Sequence, residues 1–391
     1  MRDQLRFGVF YAPYHPTDRN PTLQIRRLIS MAQHLDEIGF DEVWCGEHHS
    51  QGVEIIGSPE VLLAAMAERT ERIKLGTGVM SLPWHNPLIA ADRICQLDHQ
   101  SRGRVIFGTG PGKTAVDSYM FGQDQSEQRR MQDEALTAIV PLLRGEVVNM
   151  ETDWFKLVDA RLHLLPFQHK GIEVVAASTA SPSGPSLAGK HGLSMLSLAA
   201  GDPAGFNALD ANWDIYEKVA AHNGHGVDRK TWRLVSPMFL AETTEEAHRA
   251  VRNRVTHMGR YLEKNLGTEF EWARTPEATI EQWTTEGVPG FGKAVIGTPD
   301  KAIKHIQALV EKTGGFGAYM INAWDIAEHE EMKRSFELFA SEVMPAFHRS
   351  NIGREASLDF LGEHSKALSA NTMNAVQKAR ADYYGEGGNK K

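Results

Sequence analysis

Cysteine is scarce in this sequence: Cys45 and Cys95 are the only two among 391 residues. Two cysteines cannot form a disulfide framework, so we expect a protein of a reducing compartment. An excess of basic residues is also missing, because the formal net charge is −8. Nucleic acids and anionic membranes require basic surfaces, and the composition therefore argues against both as partners.

Long apolar runs are absent as well. No stretch approaches the roughly 18 consecutive apolar residues of a membrane-spanning helix, so we expect no membrane span. The first ten residues, MRDQLRFGVF, lack the apolar core of a signal peptide. Together with the cysteine usage, these features indicate a cytoplasmic protein.

What the sequence does contain is a regular alternation of short β-rich runs and amphipathic helices. Strands are predicted at 5–12, 41–46, 73–82 and 105–109, with helices at 21–38, 58–70 and 87–101 between them. The same alternation continues to about residue 347 and gives roughly eight units. Alternation of this kind predicts a parallel sheet, and the number of units favours a closed (β/α)₈ TIM barrel over an open doubly wound sheet.

Two segments do not follow this alternation. Residues 259–293 carry charged and aromatic side chains without clean periodicity, and we predict an irregular lid insertion there. Residues 351–391 form a polar C-terminal extension, with a helix over 357–382 at most and a disordered end from residue 385. The predicted organisation is a barrel over 1–350 followed by this extension.

A cluster of ionisable residues, Glu47-His48-His49, directly follows the second predicted strand. Active sites of TIM barrels lie at the C-terminal ends of the strands, and burying ionisable groups there without a role is costly. Histidine exchanges protons near neutral pH, so the triplet predicts a proton-transfer role. Adjacent histidines at a strand end point in opposite directions, which argues against a metal site.

Glycines recur along the third and fourth predicted strands, at Gly76, Gly78, Gly108 and Gly110. They indicate either a close approach of a ligand to the backbone or crowding against a neighbouring strand, and the sequence leaves both open. The turn at Gly110 could admit a flat ring. The dinucleotide pattern G-x-G-x-x-G is not present at this turn.

A second candidate site follows the fifth predicted strand. Four hydroxyl residues occur within the six positions 178–183 and open a helix, which slightly favours a phosphate site over ordinary capping. Arg129, at the start of an earlier helix, could pair with a phosphate or lie in solvent. Cys45, between Trp44 and Gly46 on an apolar strand, is interpreted as a packed residue rather than a nucleophile.

The motifs above, in their order and spacing, resemble the bacterial luciferase-like family of flavin-dependent monooxygenases over nearly the whole chain to about residue 350. The matching stretches are RFGVF at 6–10, GFDEVWCGEHH at 39–49, LGTGVMSLP at 75–83, QLDHQSRGRVIFG at 96–108 and FASEVMPAF at 339–347. Residues 47–60 and AGKHG at 188–192 are most similar to the limonene 1,2-monooxygenase branch.

The resemblance implies an enzyme that uses reduced FMN and O₂ to insert one oxygen atom into a small hydrophobic substrate, such as a monoterpene. It also implies a separate flavin reductase that consumes NAD(P)H, and a homodimer. Two alternatives on the same barrel remain open: Baeyer–Villiger oxidation of a ketone, and hydride transfer with a deazaflavin.

Position by position, the resemblance implies a catalytic role for His48 and a non-prolyl cis peptide at Gly78–Val79 against the flavin ring. It places Gly110 beside the cofactor and makes residues 259–293 a mobile lid. It also implies that the flavin phosphate is bound by Arg129, Ser178 and Ser181. For the apolar wall of the substrate pocket, the candidates are Tyr11, Trp44, Val79 and Trp84.

The sequence departs from luciferase itself at three positions. Luciferase has a reactive cysteine in place of Gly110, an arginine in place of Pro111 and an acidic residue in place of Ala177. We therefore expect no light emission from an aldehyde, a different grip on the phosphate and a more apolar barrel mouth.

Overall fold

The computed structural model describes residues 5–12, 14–198 and 200–386 of the chain. It separates into two units, one ending at Met344 and one beginning at Pro345. The strands are β1 (Arg6–Tyr11), β2 (Glu42–Cys45), β3 (Lys74–Thr77), β4 (Met80–Ser81), β5 (Val105–Gly110), β6 (Val148–Glu151), β7 (Lys156–Ala160), β8 (Glu173–Ser178), β9 (Ser194–Ser197), β10 (Arg233–Leu240), β11 (Val295–Gly297) and β12 (Ala318–Ala323).

Eight of these strands pair in parallel in the order β12-β1-β2-β3-β5-β8-β9-β10. The sheet closes because β10 pairs both with β9 and with β12. This closure confirms the predicted TIM barrel. The short strand β4 continues β3 and pairs with β5, β11 extends the pairing at the end of β10, and β6 and β7 form a separate antiparallel hairpin.

Helices connect the strands on the outside of the barrel. They are α1 (Pro21–Glu37), α2 (Pro59–Ala67), α3 (Pro87–Gln100), α4 (Ala115–Met120), α5 (Gln128–Leu143), α6 (Ser183–His191), α7 (Pro203–His222), α8 (Thr244–Leu266), α9 (Pro276–Thr285) and α10 (Pro299–Thr313). Three helices follow the last strand: α11 (His329–Leu338), α12 (Met344–His348) and, in the C-terminal unit, α13 (Ile352–Glu386). A π-helical turn, Phe339–Val343, lies between α11 and α12.

Local sequence explains where the early helices begin. In α1 the side chain of Asn20 accepts a hydrogen bond from the backbone N–H of Leu23, and Pro21 occupies the first turn. Leu23 itself is exposed. Ser58 precedes α2 and makes no side-chain capping hydrogen bond, and the helix has Pro59 at its first position.

Charged side chains fill the N-terminal end of the barrel interior. The guanidinium of Arg233 donates to Glu42 Oε2 at 2.7 Å and to Glu173 Oε1 at 2.8 Å, and Arg6 pairs with Glu42 at 2.9 Å. Arg233 and Glu42 have no exposed surface. Since each of these residues opens its strand, the charged layer closes the end of the barrel opposite the active-site end.

Trp44 fills the next layer of the interior. A Cβ atom on Gly76 would lie 2.3 Å from the Trp44 ring, and one on Gly108 would lie 2.5 Å from it. The indole Nε1 of Trp44 donates to Glu42 Oε2 at 2.9 Å, and its ring faces the Arg233 guanidinium. At Gly76 and Gly108, crowding is therefore the interpretation that the structure supports.

Two predictions of local structure are corrected. The third strand, predicted as continuous over 73–82, is interrupted at Gly78 and Val79. Residues 259–293, predicted to be irregular, contain the end of α8, a 3₁₀ turn at Glu271–Arg274 and the helix α9. In α9 the Thr275 side chain caps the N–H of Ala278, a local signal that periodicity does not detect.

The C-terminal unit is more helical than predicted. Helix α13 spans Ile352–Glu386 and so extends beyond the predicted 357–382 at both ends. The predicted disordered end begins at Gly385, yet Gly385 and Glu386 are helical. The rest of that prediction, residues 387–391, lies outside the described residues.

Candidate active site

The peptide bond between Gly78 and Val79 is cis, which confirms that part of the sequence prediction. It lies between β3 and β4 at the C-terminal end of the barrel, which we call the mouth. The N–H of Gly78 donates to the carbonyl of Cys45 at 2.6 Å. A Cβ atom on Gly78 would lie 2.8 Å from the ring of Phe10, so only glycine fits here without displacing Phe10.

Small residues line the mouth on the side of β3, β5 and β8. Strand alternation directs Gly78, Gly110 and Ala177 inward, as it does Trp44 in the interior cluster. A Cβ atom on Gly110 would lie 2.5 Å from Val79 Cγ2, so the glycine leaves room for the Val79 side chain. Together Gly78, Gly110 and Ala177 form an apolar surface beside the cis peptide, which we call the floor of the site.

His48 lies just beyond β2, with both ring nitrogens facing acidic side chains. Its Nε2 is 2.9 Å from Glu54 Oε2, and its Nδ1 is 3.5 Å from Asp117 Oδ2. Its Nδ1 is also 3.4 Å from the hydroxyl of Thr114. The backbone N–H of His48 donates to the carbonyl of Ile56 at 3.0 Å, which fixes the chain at this point. One quarter of the side chain remains exposed towards the mouth.

This arrangement favours the charged form of His48. A neutral imidazole donates from one nitrogen only, whereas here both nitrogens face a carboxylate. Burial alone would lower the pKa of His48, but the Glu54 carboxylate and the hydrogen bond with Asp117 outweigh it and raise the pKa to about 10. At neutral pH the residue is an imidazolium and can donate a proton.

The other two residues of the triplet hold each other in place. Glu47 is buried, and its carboxylate accepts from the ring nitrogens of His49 at 3.0 Å and His85 at 2.7 Å and from the N–H of Ser81 at 2.7 Å. Burial raises the pKa of Glu47, but these hydrogen bonds outweigh it and lower the pKa below its ordinary value. The predicted proton-transfer role therefore rests on His48 alone.

Asp117 was missed by sequence reasoning. It lies on α4, accepts hydrogen bonds from the hydroxyl of Ser50 and from the N–H of His49, and is fully buried. Burial raises its pKa, but the hydrogen bonds from His48 and Ser50 lower it further than burial raises it. Glu54 was also missed as a partner of His48, although it lies within the segment 47–60 that carried the resemblance.

Two of the predicted pocket residues lie away from the mouth. Tyr11 is buried, and strand alternation places its side chain on the outer face of β1, since Phe10 belongs to the interior cluster. Trp44 is fully buried and points towards Glu42 at the opposite end of the barrel. The structure does not support a substrate-contacting role for either residue.

Trp84 packs against the ring of His49, the residue that follows His48 in the chain. The ring of Trp84 stacks on Phe121 with centroids 5.1 Å apart, and the ring of His49 packs edge-on against both. A Cβ atom on Gly112 would lie 2.6 Å from the Trp84 ring. Trp84 therefore forms an aromatic wall with Phe121 next to the loop that follows β5, and it remains a candidate for the substrate pocket.

The predicted phosphate site is built where β8 meets α6. Ser178 is buried, and the hydroxyls of Ser181 and Ser183 are 2.9 Å apart. A Cβ atom on Gly184 would lie 2.9 Å from Ser178 Cα, so the first turn of α6 packs directly on the strand end. Arg129 is exposed on the first turn of α5, and its contact with the phosphate stays a prediction.

Segment 287–293 crosses the mouth. The Phe291 ring packs edge-on against Trp324, which follows β12, with centroids 4.2 Å apart. The N–H of Lys293 donates to the carbonyl of Gly201, which follows β9, at 2.7 Å. A Cβ atom on Gly290 would lie 3.5 Å from the Nζ of Lys113, which follows β5. This segment therefore connects the loops after three strands of the barrel.

A family model described as Luciferase-like monooxygenase matches residues 5–315. The chain belongs to this family. It is 46% identical over 342 residues to limonene 1,2-monooxygenase of Rhodococcus erythropolis, which covers 88% of this chain and 86% of the relative. It is 38% identical over 376 residues to 4-hydroxyprotoasukamycin monooxygenase of Streptomyces nodosus subsp. asukaensis, which covers 94% of this chain and 99% of the relative.

A solved structure supports the same relationship. The luciferase-like monooxygenase described here is similar to the oxygenating constituent of 3,6-diketocamphane monooxygenase from Pseudomonas putida, a type II Baeyer–Villiger monooxygenase in complex with FMN. The TM-score is 0.69 at 26% identity, and the match covers 88% of this chain and 98% of that chain. The predicted family and the predicted enzyme class are thus confirmed: the chain is a flavin-type monooxygenase.

In the part of this luciferase-like monooxygenase that the structure describes, no helix combines the length and apolar character that crossing a bilayer requires.

Proposed function

We propose that this monooxygenase uses reduced FMN and O₂ to insert one oxygen atom into a small hydrophobic substrate of the monoterpene class, with epoxidation as the reaction. The observation that carries the proposal is the His48 imidazole at the mouth, with a carboxylate facing each ring nitrogen, next to a floor of small residues at Gly78 and Gly110. The identity of 46% with limonene 1,2-monooxygenase supports the substrate class.

The residues at the mouth fit FMN. Gly78, Gly110 and Ala177 leave space for a flat ring against the cis peptide, because side chains are small or absent there. Ser178, at the end of β8, and Ser181, in the loop before α6, would hold the phosphate through hydroxyl groups next to the positive end of that helix. When bound, the flavin supplies the electrons that activate O₂.

The side chains of the protein would donate a proton and exclude water from the site. The charged His48 can donate a proton but cannot accept one, which favours oxygen transfer to an alkene over nucleophilic insertion into a ketone. Segment 287–293 and the Trp84–Phe121 pair would exclude water from the mouth. We also propose a separate NAD(P)H-dependent reductase as the source of reduced flavin, and a homodimer.

The test is oxygen uptake by the purified protein with FMN, NADH and a generic flavin reductase, with and without limonene, in labelled O₂. Mass spectrometry should find one labelled oxygen atom in an epoxide product. Uptake that yields only H₂O₂ with every terpene and ketone would refute the substrate class while leaving the flavin site in place. Hydride transfer to a deazaflavin, without binding of FMN, would select the alternative cofactor.

Replacement of Gly110 by Ala tests the floor of the site. The new methyl group would lie 2.5 Å from Val79 Cγ2, so Val79 must move towards the bound ring. Overpacking of this kind typically costs about 1–3 kcal/mol, and we expect weaker FMN binding in a fluorescence titration. Gly226→Ala is the control, because nothing lies within 4 Å of a Cβ atom there. Equal FMN affinity in both variants would contradict the assignment of the floor.

A further inference from the structure

The carboxylate of Glu54 connects the catalytic histidine with helix α8. Its Oε2 lies 2.9 Å from His48 Nε2, and its Oε1 accepts a hydrogen bond from the hydroxyl of Tyr261 at 3.2 Å. The same hydroxyl also lies within hydrogen-bond distance of the side-chain oxygen of Gln51, so its single proton is shared between Gln51 and Glu54. Glu54 is only 7% exposed, so both interactions take place in a site that is largely shielded from water.

Backbone contacts hold Glu54 in this position. It forms an isolated antiparallel bridge with Tyr14, and the N–H of His15 donates to the carbonyl of Val53 at 2.7 Å. The rings of Tyr14 and Tyr261 are in contact, with centroids 5.7 Å apart. Glu54 therefore lies between the segment that follows β1 and the helix α8.

The two carboxylates that face His48 are not equivalent. Asp117 is 3.5 Å from His48 Nδ1, and it already accepts hydrogen bonds from the hydroxyl of Ser50 and the N–H of His49. The oxygens that face the imidazole, Glu54 Oε2 and Asp117 Oδ2, have no other hydrogen-bond donor among the described residues, but Glu54 Oε2 lies 2.9 Å from its ring nitrogen and Asp117 Oδ2 lies 3.5 Å away. Thr114, the remaining side chain in contact with the imidazole, is uncharged. Glu54 is thus the nearer of the two carboxylates, and the second oxygen of each is held by other groups.

We propose that Glu54 is a positioning residue that keeps His48 in its charged, proton-donating form, and that Tyr261 fixes Glu54 for this task. The acid at the mouth is then assembled from two parts of the chain, the loop after β2 and the helix α8. The inference deepens the proposed function, since the importance of the proton for oxygen transfer depends on that proposal. The effect of Glu54 on His48 does not depend on it.

The experiment follows the His48 imidazole by NMR as a function of pH in the full-length protein without cofactor, with the signal assigned from its loss in His48→Gln. Glu54→Gln keeps the shape and an acceptor for Tyr261 but removes the charge. We expect the pKa of His48 to fall by about 1–3 units, the usual effect of losing a neighbouring opposite charge. Tyr261→Phe should cause a smaller fall, because Glu54 is then held less firmly at its distance of 2.9 Å from His48 Nε2.

Glu60→Gln is the matched control. Glu60 is also a buried carboxylate, but its partner is Arg93 at 3.3 Å, so the pKa of His48 should not change. An unchanged pKa in Glu54→Gln would overturn the proposal, and an unchanged pKa in Tyr261→Phe would overturn the role of α8. A fall in Glu60→Gln equal to that in Glu54→Gln would also overturn it, because the effect would then be general.

A second measurement separates positioning from a structural role. In the oxygenation assay, the alkaline limb of the kcat profile should move to lower pH in Glu54→Gln, by the same shift as the NMR titration, while KM stays the same. A structural role would lower the melting temperature without moving this limb. If the imidazole titration shifts but no substrate is oxygenated by the wild-type protein, the proposed function fails and the assignment of Glu54 stands.

Discussion

Replacement of His48 by Gln is expected to lower kcat for oxygenation by about 10²–10⁴-fold, the usual contribution of a positioned proton donor. Gln can still donate to Glu54, which avoids leaving Glu54 and Asp117 buried without a hydrogen-bond donor between them. It carries no transferable proton at any accessible pH. Turnover measured by product formation at saturating substrate gives the effect.

The matched control is His99→Gln. His99 lies on α3 and contacts the carbonyl of Leu165 at 2.9 Å, away from the mouth. FMN affinity should be the same in the wild-type protein and both variants, because neither histidine forms the floor of the site. Equal kcat in His48→Gln and His99→Gln would remove His48 from the mechanism.

The pH dependence of the oxygenation rate tests whether His48 acts in its protonated form. The pKa of His48 is raised to about 10, so the proton donor is present below that value and is lost as the pH rises through it. The rate of the wild-type enzyme should therefore fall on the alkaline side near pH 10. His48→Gln should lack this limb.

Replacement of Arg233 by Met is expected to lower the free energy of unfolding by about 3–5 kcal/mol, the usual effect of removing one partner from a buried ion pair. Arg233 has no exposed surface, and it donates to both oxygens of Glu42 and to both oxygens of Glu173. Methionine keeps part of the volume against Trp44 but leaves Glu173 without its ion pair and Glu42 with Arg6 alone. Urea denaturation followed by circular dichroism measures the change.

The control for this variant is Arg334→Met. Arg334 pairs with Glu242 on the exposed surface, where ion pairs typically contribute about 0–1 kcal/mol. Stability of Arg233→Met equal to that of Arg334→Met would show that the charged layer does not depend on its central cation.

The stability of the protein at acidic pH provides a further test of the same charged layer. Burial raises the pKa of Glu173, but Arg233 outweighs burial and lowers it from 4.5 to about 2. A lowered pKa in the folded state contributes stability above the ordinary pKa, and that stability is lost as the pH falls through the folded value. The wild-type protein should therefore lose stability between about pH 4.5 and pH 2, and Arg233→Met should lose less over the same range.

The barrel could be predicted from the sequence because its signals are local and repeated. Alternation of strands and helices predicted the fold class, and the predicted helix start at residue 21 agrees with the structure, in which α1 begins at Pro21. Helix α9 was not predicted, because its first turn is fixed by the hydroxyl of Thr275 rather than by a long apolar period. A single capping residue in a polar segment is a weak signal.

The site could be predicted only in part. His48 was found because it directly follows a strand, whereas its contact with Asp117 joins two loops that share no sequence pattern. Trp44 and Gly78 both occupy positions that face the barrel interior, but they lie at different distances along the barrel axis. The alternation of residues along a strand predicts which face a residue occupies and not where it lies along the axis. This is why Trp44 was assigned to the mouth although it lies next to Glu42 at the other end.

The charged layer and Trp44 also bear on the order in which flavin and substrate would bind during turnover. Because they close one end of the barrel, bulky molecules can arrive and depart only through the mouth. If the flavin ring lies on the floor at Gly78, as we propose, it occupies the deeper place, and the substrate lies above it. The reduced flavin must then enter before the substrate, and the oxygenated product must leave before the spent flavin. Kinetic analysis should accordingly show a compulsory sequence of binding and release.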